Sequence, residues 1–275
     1  NNIMPFWMKY GLDREHGGVY TCVNRDGSLM DTTKSVWFQG RFGFIAAYAY
    51  NNIEKNPQWL AASKSCIDVI EAHCFDTDGH MFFEVTEDGK PLRKRRYVFS
   101  EGFAAIAMAE YALATGEKEY AKKALDIFKR TLHFLNTPGF LEPKYLPTLP
   151  SRGHSITMIL INTASRIRMV IDDPSLTEQI DTSIAALRKY FIHPEFKALL
   201  EMVGPDGEFI DTCNGRVINP GHCIETAWFI MEEAKYRNWD KDLLQLALQI
   251  LDWSWEWGWD KEFGGIINFR DCRNL

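Results

Sequence analysis

The segment Gly11-Leu12-Asp13-Arg14-Glu15-His16-Gly17-Gly18 returns nearly unchanged at the other end of the chain, as Trp259-Asp260-Lys261-Glu262-Phe263-Gly264-Gly265. Asp, Glu and the Gly-Gly pair stand in the same frame. Two looser relatives lie between them, Phe75-Asp76-Thr77-Asp78-Gly79-His80 and Gly204-Pro205-Asp206-Gly207-Glu208-Phe209. Three of the four run into a short apolar or aromatic stretch, as in Gly18-Val19-Tyr20, Met81-Phe82-Phe83 and Gly265-Ile266-Ile267. This pattern reads as tight hairpins on one rim, with glycine where φ must be positive. Internal repetition constrains a fold strongly, because every copy has to bury the same face against its neighbour.

Helical apolar spacing fills the intervals between these loops. It covers residues 34–52, 57–73, 98–115, 117–135, 154–171, 175–192, 221–237 and 240–257. Thr115-Gly116-Glu117 and Asn56-Pro57 are breaks between partners. The helices pair as αα hairpins with a period of about 60 residues. The expected fold is all-α, an (α/α)6 barrel with short β-hairpin loops on one rim, forming one domain over residues 1–275. Six pairs at this period need roughly 360 residues. The chain supplies four to five pairs, so the barrel reads as incomplete at its C-terminus, lacking one to two hairpins. An open ring would leave apolar inner faces in water, which favours further sequence after Leu275. At the other end, Asn1-Asn2-Ile3-Met4-Pro5 shows neither an initiator methionine nor a charged-then-apolar leader, so residues upstream are expected.

Composition narrows the function. Apolar residues make up 46% of the 275 and aromatics 13%, enough for a large core. A net charge of -6 argues against a nucleic-acid partner. The chain lacks a run of eighteen apolar residues, which argues against a membrane partner. The six cysteines form no C-x-x-C pair and read as free thiols of a reducing, cytoplasmic setting. Cys223, although beside His222, reads as buried rather than nucleophilic, because sequence neighbours on a helix diverge. No Walker-type loop or histidine pair at metal-ligand spacing is visible, so neither cofactor nor metal is expected. His16, His73, His80, His133 and His193 read as loop or surface residues.

The chemistry concentrates where the first helix of each pair begins. Asn219 is a favoured N-cap, and Pro220 suits the first helical position. His222, Glu225 and Trp228 then follow at three-residue intervals on one face. An imidazole beside a carboxylate at a helix N-terminus suits general-base chemistry; the plainer alternative is a capping histidine with a buried tryptophan behind it. The other starts carry Lys34, Trp37 and Arg41 on one stripe with Gln39 off it, then Tyr97 and Glu101, then His154. Glu101 could equally serve its helix dipole, and the run Arg93-Lys94-Arg95-Arg96 reads as a solvated loop. If these starts share one mouth, aromatic walls with few charges suit a sugar.

These residues resemble the N-acylglucosamine 2-epimerase family, which includes cellobiose 2-epimerases and aldose–ketose isomerases. The resemblance rests on Phe6-Trp7 with Asp13-x-x-x-Gly17-Gly18, Lys34-x-x-Trp37-x-Gln39-x-Arg41, Ser100-Glu101-x-Phe103, and Asn219-Pro220-Gly221-His222-x-x-Glu225-x-x-Trp228. It implies epimerisation at C2 of an open-chain sugar such as N-acetylglucosamine or N-acetylmannosamine. It makes His222, Arg41 and Glu225 catalytic, with Trp228 near the sugar. Lys34, Trp37, Gln39, Tyr97, Glu101 and His154 are the further substrate-binding candidates. Proton removal from C2 leaves an enediolate that Arg41 would stabilise. The resemblance also implies a second histidine in a Trp-Trp-rich helix start near the family's C-terminus. That motif is not found before Leu275, and about another hundred residues are expected. An aldose–ketose isomerase, a cellobiose 2-epimerase and a non-catalytic sugar-binding protein are the alternatives. A glycoside hydrolase is a weaker one, with Glu101 and Glu225 its only carboxylate pair. A homodimer is an unsurprising assembly.

Overall fold

A computed structural model describes residues 2–275. The chain forms two compact units. One runs from the N-terminus to Pro143 and includes Arg166–Asp173; the other comprises Lys144–Ser165 and Pro174–Leu275. Among the described residues the regular structure is nine α-helices with short antiparallel strands in the connections.

The first unit opens with α1 (Ile3–Tyr10) and the small hairpin of β1 (Cys22–Val23) and β2 (Leu29–Asp31). Then come β3 (Lys34–Ser35), α2 (Val36–Asn52), α3 (Pro57–His73), β4 (Phe82–Val85), β5 (Pro91–Lys94), α4 (Phe99–Thr115) and α5 (Lys118–Asn136). Strands β3, β4 and β5 pair in that order. Helix α4 is the core element, buried from Ser100 through Ala112. Its alanines let α2 approach closely, and Gly40 and Gly43 complete the contact. A Cβ on Gly40 would lie 2.6 Å from the Phe103 carbonyl carbon, and one on Gly43 would lie 3.3 Å from the Ala107 Cβ. Helix α5 buries one stripe, Tyr120, Ala124, Ile127, Phe128 and Thr131, and turns Lys and Glu outward. Truncating Phe128, 1% exposed, to alanine would cost about 3–5 kcal/mol.

The second unit contains β6 (Arg152–Gly153), α6 (His154–Arg168), α7 (Pro174–Ala186), β7 (Ile192–His193), β8 (Ala198–Leu199) and β9 (Met202–Val203). It continues with β10 (Val217–Ile218), α8 (Pro220–Tyr236), α9 (Lys241–Gly258) and β11 (Arg270–Asp271). The pairs are β6 with β9, β7 with β8, and β10 with β11. Asn219 caps α8 by accepting from the His222 amide at 3.2 Å, and Asp240 caps α9 through the Leu243 amide at 3.0 Å.

Seven of the eight helical segments fall within three residues of expectation at each end. The eighth, 175–192, stays α-helical only to Ala186; a wider π-type turn occupies Leu187–Phe191, and Ile192 pairs as strand. Periodicity alone does not report that change of pitch. Helix α1 escaped the sequence reading, being only eight residues long with no buried side chain. The Asp-Gly loops do fold as hairpins. The amides of Asp13, Asp76, Gly204 and Asp260 donate to the carbonyls of Gly18, His80, Glu208 and Gly265. Gly17 and Gly18 take φ of +82° and +73°, and Gly264 and Gly265 take +70° and +89°.

Candidate active site

Backbone pairing assembles the polar centre of the second unit. Strand β6 pairs with β9 through Arg152 opposite Val203 and Gly153 opposite Met202. The ladder runs one residue further, where the His154 amide donates to the Glu201 carbonyl at 3.0 Å. Glu201 in turn donates its amide to the Val217 carbonyl at 3.1 Å, tying it to β10. Two residues later the chain enters the Asn219 cap, and His222 sits in the first turn of α8. Three segments distant in sequence thus bring His154, Glu201 and His222 together.

Glu201 Oε1 lies 2.7 Å from His222 Nδ1 and 3.4 Å from His154 Nδ1. His154 Nε2 lies 2.9 Å from Thr226 Oγ1, and the Thr226 hydroxyl donates to the His222 carbonyl at 2.8 Å. His154 and Thr226 are both 0% exposed, whereas 38% of the His222 side chain is open. Burial alone would raise the Glu201 carboxyl; hydrogen bonds from His154 and His222 outweigh it and lower the pKa to about 2. Glu201 is therefore a carboxylate at neutral pH. As such it is acceptor-only, so His222 donates from Nδ1, and in the neutral form of the ring the lone pair lies on Nε2. That tautomer can receive a proton.

Ligand-type atoms of His154, Glu201 and His222 all lie within 4.8 Å of one another, a density of donors that a metal site could use. Sequence spacing did not show it, because the three come from three elements. The 2.7 Å contact is a hydrogen-bond distance; two ligand atoms on one zinc would stand about 3.3 Å apart.

The remaining members of the α8 stripe differ in setting. Glu225 is half-buried, and Trp228 is 44% exposed with its ring 5.0 Å from that of Phe229. The carboxylate on His222 is thus Glu201, not Glu225. Glu201 had one visible signal, a lone charge inside the apolar run Ala198-Leu199-Leu200-Glu201-Met202-Val203. Cys223 is buried, donates to the Leu199 carbonyl at 3.4 Å and has its thiol pKa pushed up by burial, so it is no nucleophile.

In the first unit, Arg41 is exposed, its guanidinium 4.2 Å above the Phe103 ring and 5.9 Å from Trp37. Trp37 is wedged among Phe83, Phe99 and Phe103. The Tyr97 hydroxyl accepts from Arg96 at 2.8 Å, so part of the basic run is engaged rather than merely solvated.

Four of the substrate-binding candidates are engaged by other groups of the protein. Lys34, 0% exposed, pairs with Asp13 at 2.7 Å and donates to the carbonyls of Gly17 and Glu87 at 2.8 Å each. Gln39 is equally sealed and locks Val19, accepting from its amide at 3.0 Å and donating to its carbonyl at 2.6 Å. Glu101 turns inward, accepts from the Met81 amide at 2.7 Å and pairs with His80. His154 gives both ring nitrogens to Glu201 and Thr226 rather than to a ligand. The physical reason is shared: polar side chains drawn into the core satisfy each other or main-chain groups there. His80 and His193 are likewise buried rather than at the surface. The inward turn of Glu101 also removes the one carboxylate pair a glycoside hydrolase would have used.

The helical-hairpin scaffold presents an imidazole oriented by a half-buried carboxylate, an arrangement able to move a proton. The sequence profile of the N-acylglucosamine 2-epimerase (GlcNAc 2-epimerase) family matches residues 18–274, and the chain belongs to that family, sugar 2-epimerases of the isomerase class. The N-acylglucosamine 2-epimerase of Rattus norvegicus is 29% identical over 284 residues, a match that covers 100% of this chain and 67% of the rat protein. The chain thus spans about two thirds of the length of that relative. The solved structure of cellobiose 2-epimerase from Bacillus thermoamylovorans B4167 superposes with a TM-score of 0.83 at 20% identity, covering 98% of this chain and 72% of that one. A D-mannose isomerase structure gives 0.78 at 19%, covering 99% and 73%. At these identities the likeness establishes the fold, the (α/α)6 barrel type. Among the described residues no helix is long and apolar enough to cross a membrane.

Proposed function

We propose that the protein epimerises C2 of an N-acylated aldose, interconverting N-acetylglucosamine and N-acetylmannosamine, with His222 as the proton-transferring base. The supporting observation is the 2.7 Å bond from the Nδ1 of a partly open His222 to half-buried Glu201. The open-chain sugar carries a weakly acidic hydrogen on C2 beside its aldehyde. His222 Nε2 takes that proton, and the C–H electrons move into the C1–C2 bond. The carbonyl electrons pass to O1, giving an enolate whose C2 carries the acylated nitrogen. Charge on O1 calls for a cation, and Arg41 is the one that the sequence motif offers for that role. Return of a proton to C2 on the opposite face inverts the centre and needs a second acid/base there. Glu225 and Trp228, on the His222 face of α8, bind the sugar; an indole covers an apolar sugar face well.

On an aldose with a hydroxyl at C2, return of a proton to C1 instead of C2 would give a ketose, so an aldose–ketose isomerase uses the same residues. The two outcomes separate by NMR in heavy water with N-acetylglucosamine and mannose offered separately: deuterium at C2 of the N-acylated aldose supports the proposal, and a ketose formed from mannose with N-acetylglucosamine untouched overturns it. The remaining elements of the reading are a cytoplasmic location and a homodimer. Light scattering tests the dimer, and a monomer mass at working concentration overturns it.

A further inference from the structure

Glu201 offers one oxygen to two imidazoles, and the two differ in access. His222 is partly open, whereas His154 has no exposed surface, so His154 acts only through what it touches. It touches the site at three points: its amide on the Glu201 carbonyl, its Nδ1 facing Glu201 Oε1, and its Nε2 on Thr226 Oγ1. Thr226 closes the circuit by donating to the carbonyl of His222 itself. Phe191 stacks edge-on at 5.8 Å and seals the ring. Any buried imidazole needs polar partners for its ring nitrogens. Here both partners lead to His222, one through a carboxylate and one through the helix backbone.

We propose that His154 is a positioning residue for proton transfer: it steadies Glu201 and Thr226 from the buried side, and Glu201 then holds His222 in the tautomer whose Nε2 accepts the C2 proton. The proposal rests on the reading of His222 as the base. A carboxylate reached by a single donor can swing about its own torsions. Two imidazoles on the same oxygen, with Glu201 fixed at both backbone groups by His154 and Val217, leave it one orientation. The groups facing Glu201 are the imidazoles of His154 on α6 and His222 on α8. The neighbouring Cys223 has its thiol pKa raised by burial and adds no charge.

The test uses the full chain and four variants. His154→Leu removes both polar bonds. His154→Asn places an amide nitrogen where Nδ1 stood and keeps the bond to Glu201. Thr226→Val deletes the second path at constant shape. For H154L, kcat should fall about 10–100-fold with KM within about twofold, the usual scale for losing a group that orients a reacting side chain. The side-chain ¹⁵N spectrum of His222 should change from one Nδ1-protonated tautomer to a mixture. H154N should recover most of kcat and of the single tautomer; T226V should lose less than H154L. Wild-type kcat with an unchanged tautomer in H154L overturns the proposal. So does a loss seen in KM alone, which would put His154 on the substrate, or H154N no better than H154L. His222→Ala keeps the two failures apart: C2 exchange persisting in H222A overturns the base assignment, while its loss there with an inert H154L overturns only the role of His154.

Discussion

Lys34 separates the structure from the sequence pattern most sharply. By pattern it is a substrate-binding cation on a tryptophan stripe; in the fold it is a sealed internal ion. Its ammonium group uses three donors on Asp13, the Gly17 carbonyl and the Glu87 carbonyl, all between 2.7 and 2.8 Å. Asp13 is 4% exposed, and although burial raises its pKa, bonds from Lys34 and the His16 and Glu15 amides hold it below the usual carboxylate range. Lys34→Met keeps the length of the side chain and deletes the charge. Asp13 is then left as an uncompensated buried carboxylate, a loss of about 3–5 kcal/mol. At about 2–4 °C per kcal/mol for a cooperative unit of this size, Tm should fall by about 6–20 °C. Adding Asp13→Asn should return part of the loss, because the orphaned charge is removed while its side-chain oxygen still accepts from the Glu15 and His16 amides. Differential scanning calorimetry of K34M and of K34M/D13N reads both effects. If K34M melts within about 2 °C of the parent and shows instead a raised KM, Lys34 faces the substrate and the internal role is wrong.

Gly40→Ala should cost about 1–3 kcal/mol in urea denaturation, since its Cβ would meet the main chain of Phe103 rather than a flexible tip; an unchanged midpoint would mean α2 and α4 can part freely. Burial lowers the pKa of His80, but Glu101 and the Arg95 carbonyl outweigh it and raise the pKa above its ordinary value. A raised folded pKa gives stability that is full below the unfolded pKa and is lost as pH climbs through the folded one. Relative to His80→Gln, the parent should therefore lose stability as pH rises above the ordinary imidazole range of about 6.5; parallel pH curves would refute the pair. Arg41→Ala should lower the rate of C2 exchange about 10²–10³-fold, the scale of losing one charge-stabilising group; a loss confined to KM would make Arg41 a ground-state binder.

The helices were legible because each carries a 3.6-residue stripe long enough to count, and the hairpins because Asp-x-Glu-x-Gly-Gly leaves few backbone options. The start of α8 was legible to the residue: Asn219 caps and Pro220 follows, so the place of His222 in the first turn could be read directly. Its partner could not. Glu201 reaches His222 through strand pairing across 21 residues, and His154 joins from 47 residues further back than Glu201. Helical spacing offered Glu225 as the nearest carboxylate, and that choice was local where the structure's was not. The same limit explains Lys34, Gln39 and Glu101. Each sits in a motif beside Arg41 or Trp37, and sequence alone does not say which way a polar side chain at a strand–helix junction turns. Lys34 and Ser35 pair with Val85 and Glu84 as strand, which turns Lys34 toward the Asp13 loop.

The central claim is that His222, held through Nδ1 by Glu201, moves the C2 proton of an N-acylated aldose. Proton NMR of N-acetylglucosamine with the full chain in heavy water tests it most directly. The account predicts loss of the H2 signal, growth of N-acetylmannosamine deuterated at C2, and silence on both counts for His222→Ala. Exchange at the parental rate in H222A, or an H2 signal that persists with the parent protein, would contradict it.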